Sequence, residues 1–191
     1  MKYYSTKNKN NFYSLRDAVI KGLPDDNGLF MPESVPVLPQ SFFDNLKGMD
    51  IRSIAYEVAS AWFVNDVPAS DLRSMVEDAY SFDAPLIRID DETYIQELFH
   101  GPTLAFKDFG ARFMSRLMGW MVKEEKEKLT ILVATSGDTG SAVASGFFNV
   151  PGIEVIILYP SGKVSGLHEY FHPTLLIVFL AMHLLSQKDK V

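Results

Sequence analysis

Thr130-Ile131-Leu132-Val133-Ala134-Thr135-Ser136-Gly137-Asp138-Thr139-Gly140-Ser141-Ala142 is the stretch from which the architecture can be read. Residues 130–134 are a short continuous apolar run, suited to a buried parallel strand. A turn rich in Ser, Thr and Gly follows, and Ala142 to Phe148 can form a helix. Ile153-Glu154-Val155-Ile156-Ile157-Leu158 reads as the next strand. Strand, Gly-rich turn, helix and strand make a βαβ unit, which implies a right-handed crossover in a parallel sheet. In such sheets ligands bind beyond the carboxyl ends of the strands, where this turn sits. Glycines allow close backbone approach and the N–H groups of a helix start favour an anion. The turn matches neither the P-loop pattern nor the dinucleotide fingerprint, so nucleotide chemistry is not its first reading.

Upstream lies His100-Gly101-Pro102-Thr103-Leu104-Ala105-Phe106-Lys107-Asp108-Phe109-Gly110. Gly101 and Pro102 break the preceding extended segment, and Phe106, Phe109, Phe113, Met114, Leu117 and Met121 then recur at close to helical spacing. Lys107 falls at the first turn of that helix, the end where the dipole disfavours a cation. Positive potential and partial burial both favour the uncharged form of an amine, which is what a nucleophilic lysine needs. The charge-balanced run Lys123–Lys128 reads as the wet end of the same helix. Before the loop, residues 86–89 and 93–99 read as a hairpin around Asp90-Asp91-Glu92, three acids expected to be solvated rather than to hold a metal.

The first 84 residues read as a small, mostly helical domain. Ser14 and Asp17 have the spacing of a capping box, and Lys21-Gly22 closes that helix before Pro24. Asp25-Asp26-Asn27-Gly28 is a turn, followed by Leu29-Phe30-Met31-Pro32 as a buried apolar plug. Residues 51–63 and 71–80 each carry an apolar helical stripe best read as core packing.

Composition narrows the function class. The chain has 191 residues, 47% hydrophobic and 22% charged, with a net charge of −6 and no cysteine. That balance, without a basic stripe, argues against a nucleic-acid binder, and no disulfide or thiolate metal site is possible. The N-terminus has no apolar stretch of a secretory signal, which makes the cytoplasm the default location. Residues 175–185 are apolar on every side but fall short of the roughly 20 residues a membrane span requires. His168, His172 and His183 lack the carboxylates or regular helical pairing of a metal site, so none is assigned. Oligomeric state is left open.

The run Glu97–Phe109 closely resembles the cofactor-lysine segment of threonine synthases, enzymes that use pyridoxal 5'-phosphate (PLP). The fold this resemblance implies is α/β, PLP fold type II (tryptophan synthase β-like), incomplete and preceded by a small mostly helical domain. Lys107 is then the residue that forms the Schiff base with PLP. Ala134–Ala142 is similar to the family segment around the substrate carboxylate, which implies binding roles for Thr135, Ser136, Gly137, Asp138 and Thr139. Tyr159–Ser165 resembles a stretch whose lysine and serine approach the substrate phosphate, here Lys163 and Ser165. The pattern Lys21-Gly22-Leu23, then Asn27 to Pro32, resembles the family's N-terminal domain.

The implied reaction converts O-phospho-L-homoserine and water to L-threonine and phosphate. A PLP-dependent dehydratase or phosphohomoserine lyase would share the lysine and the carboxylate turn, and a non-catalytic fragment is the alternative outside the enzymes. Domains are expected at 1–84, 85–165 and 166–191, the last an atypical hydrophobic tail where the resemblance fades. That tail reads as a frameshifted or truncated frame. The family's phosphate cradle and pyridine-nitrogen partner belong to its C-terminal half, so an incomplete site is expected.

Overall fold

A computed structural model describes residues 1–135 and 137–158. These fall into two compact units, Met1–Ser81 and a second beginning at Phe82.

The first unit opens with strands β1 (Tyr3–Ser5) and β2 (Asn8–Tyr13), followed by helix α1 (Leu15–Lys21). Strand β3 (Phe30–Pro32) completes an antiparallel sheet of order β2-β1-β3, in which Tyr3 pairs with both Tyr13 and Pro32. The Ser14–Asp17 capping box forms as the spacing requires, and Gly22 ends α1 at φ 71°, a conformation open to glycine without a Cβ penalty. Leu29 to Pro32 is not the buried plug its composition suggests. Leu29 and Met31 are exposed, while Phe30 and Pro32 are half-buried, Phe30 edge-on to Tyr13 at 5.0 Å. The plug reading fails because backbone pairing with β1, not side-chain burial, holds this segment. The turn before it is fixed by Asp26, whose carboxylate accepts from the buried Ser5 hydroxyl at 2.7 Å and from Gly28 N–H at 2.8 Å. A Cβ on Gly28 would stand 2.9 Å from that carboxylate, so the turn admits only glycine there.

Helices α2 (Gln40–Asn45), α3 (Ile51–Phe63) and α4 (Ala69–Ala79) follow. Asp50 caps α3 by accepting from Ser53 N–H at 2.8 Å. Leu72, Met75, Val76 and Ala79 are buried along one face of α4, as the helical stripe predicts. The Arg73 guanidinium lies 3.8 Å over the Tyr56 ring, and Arg52 donates to the Tyr80 carbonyl, so polar contacts cross the α3–α4 pair beside the apolar ones.

The second unit begins with the hairpin of β4 (Leu86–Arg88) and β5 (Tyr94–Gln96). Asp90 forms its turn by accepting from the Glu92 and Thr93 amides. These bonds, that from Glu92 first, hold the Asp90 carboxyl below its ordinary range. Helix α5 (Lys107–Val122) then precedes the βαβ unit of strand β6 (Leu129–Ala134), helix α6 (Asp138–Phe147) and strand β7 (Ile153–Leu158). β6 and β7 are parallel, Leu129 opposite Ile153 and Ala134 opposite Leu158. β6 is not buried on both faces as its continuous apolar run suggests. Its residues alternate between half-buried and exposed, and Leu132 is 63% exposed. Helix α6 packs on the strands, while among the described residues the outward-pointing side chains of β6 have little cover. No helix of the described residues is long and apolar enough to cross a membrane.

Candidate active site

Helices α5 and α6 are the platform of the site, and small residues let them approach closely. Gly146 lies against the backbone of Ala111 and Arg112, Gly119 against Val150, and Gly152 against Val122. Leu129 of β6 lies opposite Ile153 of the parallel strand β7, so α5 and α6, which lead into those two strands, bring their C-terminal ends to the same end of the pair. Their N-terminal ends, Lys107 on α5 and Asp138 on α6, therefore lie at the same end of the pair. Both are the positive ends of their helices.

Lys107 is the first residue of α5, as the periodicity predicts. Partial burial, the other condition the sequence suggested, is not met: the side chain is exposed. Its amine sits 5.5 Å from the Phe106 ring centroid and makes no ion pair among the described residues. Its neighbour Asp108 is the opposite case, 0% exposed. The Asp108 carboxylate accepts from Thr103 N–H at 2.9 Å and from the Thr103 hydroxyl at 2.8 Å, with Ala105 N–H at 3.5 Å. Residues 101–105 are thereby folded back onto the helix start. Leu104 adopts φ 57° within this turn, a left-handed conformation that costs a non-glycine residue about 1–2 kcal/mol.

Thr135 leaves β6 half-buried, and its hydroxyl oxygen accepts from Gly137 N–H at 3.2 Å and Gly140 N–H at 3.1 Å. That bond draws Asp138, Thr139 and Gly140 into the first turn of α6, which is why the helix begins four residues earlier than Ala142. Gly137 occupies the N-cap position, and Asp138 and Thr139 are exposed on the first turn. A Cβ on Gly140 would meet Thr135 Cβ at 3.2 Å, so the turn closes this tightly only over glycine. Ser136, Lys163 and Ser165 lie outside the described residues.

The sequence reading missed Asp108, Thr103 and Gly101 as a unit. A threonine five residues before an acid, behind a Gly-Pro turn, is the signal that could have found them. It also missed Ser141, which is buried on α6 with no hydrogen-bond partner for its hydroxyl among the described residues.

An exposed amine at a helix start can condense with a carbonyl group, and the N–H groups that open a helix favour an anion. The fold is part of that of a PLP-dependent enzyme. Over nearly its whole length the chain matches the N-terminal part of threonine synthases.

The family model "Threonine synthase N terminus" matches residues 2–80. The threonine synthase of Buchnera aphidicola subsp. Baizongia pistaciae is 41% identical over 176 residues, a match covering 92% of this chain and 41% of that protein. For the threonine synthase of Escherichia coli (strain K12) the identity is 40% over 175 residues, covering 92% and 40%. Among solved structures, PLP-bound threonine synthase from Brucella melitensis superposes with a TM-score of 0.83 at 35% identity, covering 90% of this chain and 38% of that one. The E. coli threonine synthase structure gives a TM-score of 0.80 at 40% identity, covering 90% and 40%. The chain thus spans about two fifths of the length of the curated relatives it matches.

Proposed function

We propose that this chain supplies the cofactor lysine and the substrate-carboxylate turn of a threonine synthase site, for the conversion of O-phospho-L-homoserine and water to L-threonine and phosphate. The observation that carries the reading is Lys107 itself. It is an exposed amine without an ion partner among the described residues, at the first position of a helix, in a chain about 40% identical to named threonine synthases.

PLP, when bound, supplies the electron sink that stabilises negative charge next to the substrate nitrogen. Lys107 Nζ would hold it, and once free that amine is the base and acid that moves protons at the adjacent substrate carbons. Asp108 keeps the Lys107 backbone fixed through the 101–105 turn. The start of α6, at Gly137, Asp138 and Thr139, orients the substrate carboxylate by its N–H groups and positive end. Thr135 contributes by holding that turn closed. Ser136, and Lys163 with Ser165 toward the substrate phosphate, complete the proposed set. A cytoplasmic location belongs to the same reading.

The test is incubation of the chain with PLP, borohydride reduction and peptide mapping, beside product analysis with O-phospho-L-homoserine. Modification at Lys107, lost in Lys107→Ala, is the expected result; modification spread evenly over the lysines refutes the reading. Threonine with phosphate supports the synthase activity, whereas 2-oxobutyrate would reassign it to a dehydratase or lyase. The exposed apolar residues of the β4–β5 hairpin and of β6 favour a second reading of the chain on its own, as a cofactor-binding piece without turnover. Lys107 modification with no threonine formed would establish it.

A further inference from the structure

We propose that Asp108 is a positioning residue for the Lys107 amine: its buried carboxylate clamps the 101–105 turn to the start of α5 and so fixes the direction in which Lys107 projects. The inference rests on the cofactor-lysine reading above.

A fully buried carboxylate is costly unless its oxygens are hydrogen-bonded, and here they are. The arrangement is not an ordinary helix cap. The N-cap residue of α5 is Phe106, which offers no side-chain bond. The acid instead sits two residues further on and reaches backward over the turn. Gly101 closes the other side, since a Cβ there would lie 2.8 Å from Asp108 Cγ. Leu104, held at φ 57° and exposed, shows that the turn is kept in a conformation its residue type disfavours. Such strain persists only where the surroundings over-determine it.

Successive residues on a helix point about 100° apart. Locking Asp108 inward therefore rotates the first turn so that Lys107 faces out, and the two neighbours are respectively buried and exposed as this requires. Lys107 carries the one side-chain amine on the segment so constrained.

The test uses the full 191-residue chain and PLP as the probe. Condensation of an amine with the aldehyde releases water, and borohydride reduces the C=N bond to a stable secondary amine that mass spectrometry can locate. The readout is the ratio of labelling at Lys107 to labelling at Lys123, the exposed residue closing the same helix. Wild type should favour Lys107. Asp108→Ala and Gly101→Ala should each lower the ratio by roughly tenfold or more while far-UV circular dichroism keeps its helical signal. Asp108→Asn, which retains one acceptor oxygen, should recover part of the loss, and Thr103→Val should lower the ratio less than Asp108→Ala.

A purely structural carboxylate would change the unfolding midpoint and leave the ratio alone. Variants with native helix content and an unchanged ratio overturn the inference and spare the cofactor reading. If Asp108→Ala does not fold, the ratios measured for Gly101→Ala and Asp108→Asn decide between the two outcomes. A wild-type chain that labels Lys107 no better than Lys123 overturns both.

Discussion

Arg116 donates from its guanidinium to the Gly146 carbonyl at 2.7 Å, joining the middle of α5 to the last turn of α6 across thirty residues of sequence. The same nitrogen also donates to the buried Ser115 hydroxyl at 2.8 Å. A carbonyl at the C-terminal end of a helix lacks an intrahelical partner, and Arg116 provides one. Arg116→Met should therefore cost about 1–3 kcal/mol, the penalty for a part-buried acceptor left without its charged donor. Urea unfolding of the two proteins measures it, with a lower midpoint and an unchanged slope as the expected outcome.

Gly146 is the residue that permits this approach. A Cβ there would sit 3.1 Å from the Ala111 carbonyl carbon and oxygen and 3.3 Å from Arg112 N, and helical backbone yields little. Gly146→Val should destabilise by about 1–3 kcal/mol through overpacking. A midpoint equal to wild type would mean the helices separate freely.

Gly110 provides the contrast. It lies within α5, and a Cβ built on it meets nothing within 4 Å. Replacing a helix-interior glycine with alanine removes unfolded-state entropy, so Gly110→Ala should stabilise by about 0.5–1 kcal/mol. Thermal unfolding should show the midpoint rising; a fall would mean that the open space in front of Gly110 is filled in the working molecule.

The α1 cap makes a pH prediction. Hydrogen bonds to the Asp17 carboxylate, the Ser14 hydroxyl first and the Ser14 amide second, hold its carboxyl below the ordinary 3.8. A carboxyl acidified on folding contributes stability that is complete above the unfolded value and is lost as pH falls through the folded one. Ser14→Ala should lower stability by about 1 kcal/mol at neutral pH. The gap between the two proteins should narrow as pH drops below the ordinary carboxylate range. A gap that stays constant down to pH ~2 would assign the effect to the Ser14 hydroxyl and Asp17 amide bond alone.

Legibility in the sequence followed the range of the interaction that fixes each element. The capping box, the turn at Gly22, the α4 stripe and the start of α5 at Lys107 are set by residues within a few positions of one another, and all were readable. The α3 stripe marked a helix but not a core face, since Ala59 alone of it is buried and Val58 is exposed. The three-stranded sheet was not, because Tyr3 finds Pro32 through backbone pairing that leaves no side-chain period. Half-exposure of β6 escaped for a related reason: a run such as Ile131-Leu132-Val133 reads the same whether one face is covered or two. At the site, Lys107 stood out by residue type and place. The tie from Thr103 to Asp108 did not, since a buried acid looks on paper like any other surface aspartate.

The β4–β5 hairpin has only three cross-strand residue pairs, and all six of its strand residues are exposed. A two-stranded ribbon that, among the described residues, has no apolar face to shelter it has little stability of its own. Its amides should take up deuterium well before those of α5, and a protease added to the native protein should nick the chain there first, between Leu86 and Gln96.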